Sequence, residues 1–412
     1  MSELIIQNAA LLDLESGETV PASSVRVSGD RIVEVAPGSR ITGAAPVLDA
    51  AGRTLMPGLI DAHVHAAVTT LDMPAMARRT ASHIGIEAAG LLEAMLRRGF
   101  TTVRDAGGLD RGVTEALDAG LIKGPRVFRS GRVISQTGGH GDFDPVGRGD
   151  PHLCACHISS NWFAHVADGP DAVRRAVREE LKNGAHQIKI MASGGISSPT
   201  DPLDTVQYTR DEIRAATSEA AARGTYVLAH AFAPEAIVQA VTAGVKSVEH
   251  GVFLDTASAR VMAEHSAFLV PTLVVLEQLA EIGRRWGYPA PSLDKLQAVL
   301  SAGTNAIEIA LDAGVRVGFG TDLLGESHPA QGRELLLRAR VQSPLDVLRS
   351  ATAVNADLLG RSGELGAVAP GALADLLLVS GNPLQDLSPL ADSGAGIDLV
   401  MRGGEVVRSE LS

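Results

Sequence analysis

Six side chains have the types and spacing of a metal site: His63 and His65 in His63-Val64-His65, then Lys189, His230, His250 and Asp322. The lysine is the most informative of them. It interrupts the apolar run Gln187-Ile188-Lys189-Ile190-Met191, just before Ala192-Ser193-Gly194-Gly195. A protonated lysine has no lone pair for a metal, and an ordinary pKa of about 10.4 keeps it protonated at neutral pH. A lysine that has reacted with carbon dioxide is different, because its carbamate is an anion whose two oxygens can bridge two metal ions. With that modification, four histidines, one aspartate and one lysine read as a single binuclear hydrolytic centre. His63 and His65 are two residues apart, so on a strand both imidazoles face the same way and can serve one metal as a pair. Taken singly, each residue also has a structural reading: a packed histidine, a neutralising lysine or, for Asp322 in Gly320-Thr321-Asp322, a helix cap. Six such positions meeting at one rim favour the chemistry.

Short apolar strands must position these residues. Strands are expected at 59–65, 101–107, 126–134, 187–193, 226–232, 247–251, 268–273 and 316–322. Helices are expected at 86–98, 170–183, 209–223, 234–243, 255–265 and 292–313. Thr209-Arg210-Asp211-Glu212 has the form of a helix start with an acidic first turn. Eight apolar strands with intervening helices indicate an α/β fold, a (β/α)8 TIM barrel over about 56–355. An open doubly wound sheet is the alternative, weakened by the lack of a dinucleotide fingerprint after the first strand. Barrels of this kind carry their active sites at the C-terminal strand ends, and every candidate ligand lies at or near one. The strands rest on apolar runs alone, so the coincidence is informative. At the two chain ends the texture changes to a period of two, in Ser24-Val25-Arg26-Val27, Arg31-Ile32-Val33-Glu34-Val35 and Asp398-Leu399-Val400-Met401-Arg402. This predicts a small β-sandwich domain built from residues 1–55 and 356–412.

The 412 residues suffice for one large barrel and a satellite domain. A net charge of −12 argues against a nucleic-acid partner, which needs clustered Lys and Arg. Met1-Ser2-Glu3-Leu4-Ile5 has no basic segment ahead of an apolar one, and no apolar run reaches the roughly 20 residues that span a bilayer. Cys154 and Cys156, the only cysteines, are too close together to make a disulfide framework. A cytoplasmic protein without a membrane partner is the expectation. The cluster His152-Leu153-Cys154-Ala155-Cys156-His157 lacks the spacing of a structural zinc site and reads also as a loop over the active-site mouth. Long segments at about 136–168 and 275–291, with Trp162, Phe163, Trp286 and Tyr288, are expected to wall the pocket or to serve subunit contacts.

Pro57-Gly58-Leu59-Ile60-Asp61-Ala62-His63-Val64-His65 resembles the opening motif of the amidohydrolase superfamily, and the other candidate ligands follow in that superfamily's order. Lys189–Gly195 with Ser198-Pro199-Thr200-Asp201-Pro202 resembles one branch of it, that of Xaa-Pro dipeptidase-like carboxypeptidases and ochratoxin-hydrolysing amidases. Thr137-Gly138-Gly139-His140-Gly141-Asp142 and Gly320-Thr321-Asp322-Leu323-Leu324-Gly325-Glu326 resemble the same branch. The resemblance covers essentially the whole chain. It implies one divalent metal on His63, His65 and Asp322 and a second on His230 and His250, bridged by carboxylated Lys189 and a hydroxide. Zinc suits these donors, and manganese or cobalt could replace it. Asp322 would then be the catalytic proton carrier as the hydroxide attacks an amide carbonyl. The resemblance further implies N-acyl amino acid or dipeptide-like substrates and a homo-oligomer.

The chain departs from that branch at one position. The branch has a tyrosine two residues after the strand-5 histidine, and here the residue is Phe232. One donor to the product-side carboxylate is then missing, a loss of about 1.5–3 kcal/mol. Either His140, Arg104 or His328 replaces it, or the substrate has no free carboxylate. The second case makes hydrolysis of a carbamate, urea or cyclic amide the alternative function. A non-catalytic barrel would show a missing ligand, and none is missing.

Overall fold

The computed structural model describes residues 3–76, 78–143, 162–198, 201–285, 290–300 and 302–411. The Cys154 and Cys156 cluster, Trp286 and Tyr288 lie outside the described residues.

The period of two at the chain ends produces one sheet. Glu3–Asp13, Glu18–Ser28, Arg31–Ala36, Val47–Asp49 and Thr54–Pro57 join Leu376–Val379, Ile397–Arg402 and Glu405–Ser409 in eight strands. Thr54–Pro57 pairs parallel with the first strand and antiparallel with Leu376–Val379, which unites the two chain ends. Alternate residues enter different cores. Leu55, Leu376, Leu378 and Leu399 pack with Ile6, Val25 and Ile32. Met56, Leu377, Val379 and Val400 pack instead with Leu92, Leu96 and Leu348 of the helical layer. The sheet curls until its edge strand Arg31–Ala36 reaches the segment leading into Leu376–Val379: the Ile32 N–H donates to the Ala372 carbonyl at 2.9 Å and the Ala374 N–H to that of Asp30 at 2.8 Å. Two facing sheets were the expectation. The strands instead follow one another in a single hydrogen-bonded order, with register shifts along the ladder.

Between these ends strands and helices alternate. Leu59–Val64, Phe100–Asp105 and Arg126–Arg129 form one parallel sheet. Val133–Ser135, Ile188–Met191, Val227–Ala231, Ser247–His250, Phe268–Val270 and Arg316–Val317 follow in order in a second, with Ala164–Val166 on its edge. The expected third strand is thus two pieces, parted around Gly131, whose φ of 75° no extended strand adopts. The two parallel sheets meet at both sides, through the His186 N–H on the Arg129 carbonyl (2.9 Å) and the Ala62 N–H on the Phe319 carbonyl (2.8 Å). Gly320 permits the second approach, because a Cβ there would stand 2.7 Å from His63 Cβ and 2.5 Å from Val270 Cγ1.

The helix Arg210–Ala222 begins at Thr209 with a capping box closed by Glu212, which leaves no first-turn donor of that pair unpaired. The expected helix over 292–313 is two helices, Ala290–Val299 and Ala302–Asp312. The division lets Leu296 and Val299 of one and Ile307 of the other reach the same apolar cluster around Leu276. Among the described residues no helix is long and apolar enough to cross a membrane.

The helix Leu273–Ile282 has no side-chain cap of its own; Glu334 provides one, accepting the Val274 N–H at 2.7 Å. Burial pushes this carboxyl from its ordinary value of 4.5 up to about 8, with Arg338 opposing the shift. Because the folded pKa is the raised one, the stability held by the protonated carboxyl is complete below 4.5 and is lost as pH rises through about 8. Glu334→Gln keeps an acceptor and removes the ionisation. Its melting temperature relative to the parent should climb from about pH 5 to about pH 8 in paired thermal melts. A difference that stays flat over that window would show that Glu334 does not titrate there.

Candidate metal centre

Asp322 stands at the centre of the histidine cluster. Its Oδ1 lies 3.4 Å from His63 Nε2 and 3.2 Å from His65 Nε2, and its Oδ2 lies 4.0 Å from His250 Nδ1. Donor atoms of His63, His250 and Asp322 fall within 4.8 Å of one another. The imidazoles follow as a chain, with ring centroids 5.3 Å apart for His65 and His63, 5.1 Å for His63 and His250, and 4.7 Å for His250 and His230. Lys189, on the strand beside that of His230, is buried in the field of Glu249, Asp322 and Arg104.

Local backbone geometry aims two of these groups. Ser247 and Glu249 share a strand face, where both meet Arg104, so strict alternation would turn His250 away. His250 instead has a φ of 71°, which breaks the alternation and brings its ring to Asp322. Asp322 is also left-handed, with a φ of 53°, and its N–H donates to the His63 carbonyl at 2.8 Å. Such backbone costs of order 1–3 kcal/mol per residue outside glycine and gathers at functional sites.

Each histidine has one ring nitrogen held by the surrounding protein. His63 Nδ1 is 2.6 Å from Glu249 Oε2, His65 Nδ1 is 2.8 Å from the Gly107 carbonyl, and His250 Nδ1 is 2.7 Å from Thr272 Oγ1. His230 Nε2 donates to the Gly194 carbonyl at 3.0 Å, leaving Nδ1 as its lone-pair nitrogen. Such anchoring fixes the tautomer and ring orientation that a metal ligand requires. Burial holds His230 and His250 well below the ordinary histidine range, and His140 and Lys189 press His230 further the same way. Both are neutral imidazoles. The other nitrogen of His63, Nε2, is buried and makes no hydrogen bond.

Glu249 is the residue that sequence reasoning passed over. Burial opposes its ionisation, but Arg104 and then His63 outweigh that and hold the carboxyl well below the usual carboxylate range. The available signal was one basic and one acidic residue inside two expected strands, Arg104 in Phe100–Asp105 and Glu249 in Ser247–His250. Arg104 itself requires a correction. It was expected to contact substrate, yet its guanidinium is fully buried, on both Glu249 oxygens (2.8 and 2.9 Å) and the Ala62 carbonyl (2.5 Å). Its remaining contacts are with Ser247 Oγ and the Tyr226 hydroxyl, each at 3.4 Å.

The other expected substrate contacts fall on two sides of the cluster. His140 stacks on His230 with centroids 4.3 Å apart, and its Nδ1 is 2.9 Å from Ser198 Oγ. Its ring crosses directly over Gly195, where a Cβ would stand 2.3 Å from the imidazole. Phe232 stacks on the other face of the pair, 4.8 Å from the His230 centroid and 5.3 Å from that of His250. His328 is buried with Nε2 3.4 Å from the Val68 carbonyl; burial, then Arg98, pushes its pKa down to about 4.

Residues 54–407 match the amidohydrolase family. Ochratoxinase from Aspergillus niger is 34% identical over 369 residues, spanning 86% of this chain and 75% of its own length. The crystal structure of a prolidase complexed with N-methylphosphonate-L-proline matches with a TM-score of 0.96 at 45% identity, covering 99% of this chain and 100% of that one. That of a Xaa-Pro dipeptidase with methionine bound in its active site matches with a TM-score of 0.88 at 30% identity, over 98% and 99% of the two chains. With a family match across most of its length and relatives of this similarity, the chain belongs to the amidohydrolase family and is a hydrolase of amide or peptide bonds.

Proposed function

We propose that the chain is a two-metal amide hydrolase that releases an amino acid from an N-acyl amino acid or dipeptide-like substrate. In this reading the two parallel sheets are one closed (β/α)8 barrel over residues 56–355, flanked by a β-domain of residues 1–55 and 356–412. The observation that carries the metal is His63 Nε2, a buried nitrogen without a hydrogen bond among other imidazoles and a carboxylate. Leaving such an atom unsatisfied costs about 1–3 kcal/mol, and a cation removes that cost.

His63, His65 and Asp322 would hold one divalent ion and His230 and His250 a second, with carboxylated Lys189 between them. The donor set of imidazole and carboxylate fits zinc, manganese or cobalt. Divalent ions bound there supply Lewis acidity toward a carbonyl oxygen and a water acidic enough to ionise near neutral pH. Burial lowers the Lys189 pKa to about 8, so the neutral amine that adds to carbon dioxide is accessible under mild conditions. Asp322 handles the proton. Burial opposes its ionisation, but His63 and His65 dominate and keep it a carboxylate able to accept one. It takes a proton from the attacking water as the new C–O bond forms. It then delivers that proton to the leaving nitrogen as the C–N bond breaks.

Both solved relatives quoted above hold amino-acid-like ligands, which supports a substrate ending in a free carboxylate. His140, stacked on His230, is the polar group that would meet it. Phe232, stacked on His230 without a hydroxyl, favours the second reading, a carbamate, urea or cyclic amide hydrolase. Turnover of N-acyl amino acids and Xaa-Pro dipeptides, each with its terminal carboxylate free or amidated, separates the two. The free acids should be preferred by about tenfold or more in kcat/KM. Equal rates for each pair would transfer the assignment to substrates without a carboxylate.

A further inference from the structure

We infer that the N-terminal ends of the parallel strands carry a second ligand site, for a small organic carboxylate, remote from the metal centre. A cavity of about 610 Å³ opens there. Its lining includes Gln187, Tyr226 and Lys246, the residues directly preceding the strands Ile188–Met191, Val227–Ala231 and Ser247–His250. Phe128, Arg223 and Arg361 complete the features that matter. His230 lies four residues beyond Tyr226, about 13 Å along an extended strand, so the cavity and the metal centre occupy opposite strand ends.

Among the described residues three cations and no carboxylate line this cavity, in a chain of net charge −12. Such a concentration of one sign in a concave site attracts anions. Lys246 Nζ donates to the Leu358 carbonyl at 2.9 Å and sits 4.8 Å over the Tyr226 ring, which leaves donor capacity on the ammonium. Arg361 lies 5.9 Å over the Phe128 ring and pairs with Glu364 at 3.2 Å, both side chains being well exposed. An exposed pair of that kind holds its arginine weakly. Arg223 is exposed and makes no ion pair among the described residues. Guanidinium forks match the planar carboxylate, while Phe128 and Tyr226 offer faces to an apolar body. The volume lies within the roughly 300–1,000 Å³ of small-molecule sites.

Contacts join this cavity to the other site. The Tyr226 hydroxyl is 3.4 Å from Arg104, which grips Glu249, which in turn holds His63.

Benzoate is a suitable probe, titrated calorimetrically into the full chain both metal-loaded and after chelator treatment. One saturable site should appear in both forms. The double variant Arg223→Ala, Arg361→Ala changes exposed side chains and should weaken it about tenfold or more. Lys246→Met, which removes the ammonium at nearly constant length, should weaken it independently. Absence of saturable binding would overturn the inference. So would binding that vanishes with the metal, or binding that both variants leave unchanged.

Discussion

Lys189→Ala is expected to bind little divalent metal and to lose turnover by more than about 10³-fold. The side chain is buried on the strand Ile188–Met191, beside the strand that carries His230. Its amine lies in the field of Glu249 and Asp322, and removing it takes away the group proposed to carry the carbamate. Collapse of the fold is the competing explanation, and Lys189→Met separates the two. Methionine fills nearly the same volume in an apolar strand and, in the stripped protein, removes a costly buried amine, so its melting temperature should equal or exceed that of the metal-free parent. A folded Lys189→Met protein without metal or activity would support the bridging role. Either variant retaining parental metal content and kcat would remove it.

Asp322→Asn should leave the fold intact and lower kcat by about 10²–10⁴-fold at saturating metal. Asparagine is isosteric and tolerates the left-handed backbone that this position adopts at a φ of 53°. Its N–H can still donate to the His63 carbonyl, so the turn after the last parallel strand survives. What an amide cannot do is accept a proton from water and return it to a leaving nitrogen. Steady-state rates across pH, with melting curves as the control, test this. A near-parental kcat would assign proton transfer to another group.

The clustered histidines were legible because each interrupts or ends an apolar run, and apolar runs are what a single sequence reports best. The strand order followed from the same runs. Arg104 shows the limit of that approach: its position near a strand end was visible, but the direction of its side chain was not. It required knowledge that Glu249, 145 residues later in the chain, lies within 2.8 Å. His250 is a related case, since a φ of 71° at the strand end leaves no mark on residue periodicity. The curled sheet was hidden for another reason. Alternation shows that two faces are buried but not whether one sheet or two supplies them, and the bonds between 30–32 and 372–374 connect opposite ends of the chain. Glu334 was invisible as a cap because the helix it serves begins about 60 residues earlier.

Metal titration of the stripped protein tests the central claim most directly. The chain is treated with chelator and dialysed, then zinc or manganese is added in steps with bicarbonate present, while hydrolysis of an N-acyl amino acid is followed. Activity should be absent at the start and rise to a break at about two equivalents per chain. Full activity in the stripped protein, or a break at one equivalent, would contradict a two-metal centre on His63, His65, Lys189, His230, His250 and Asp322.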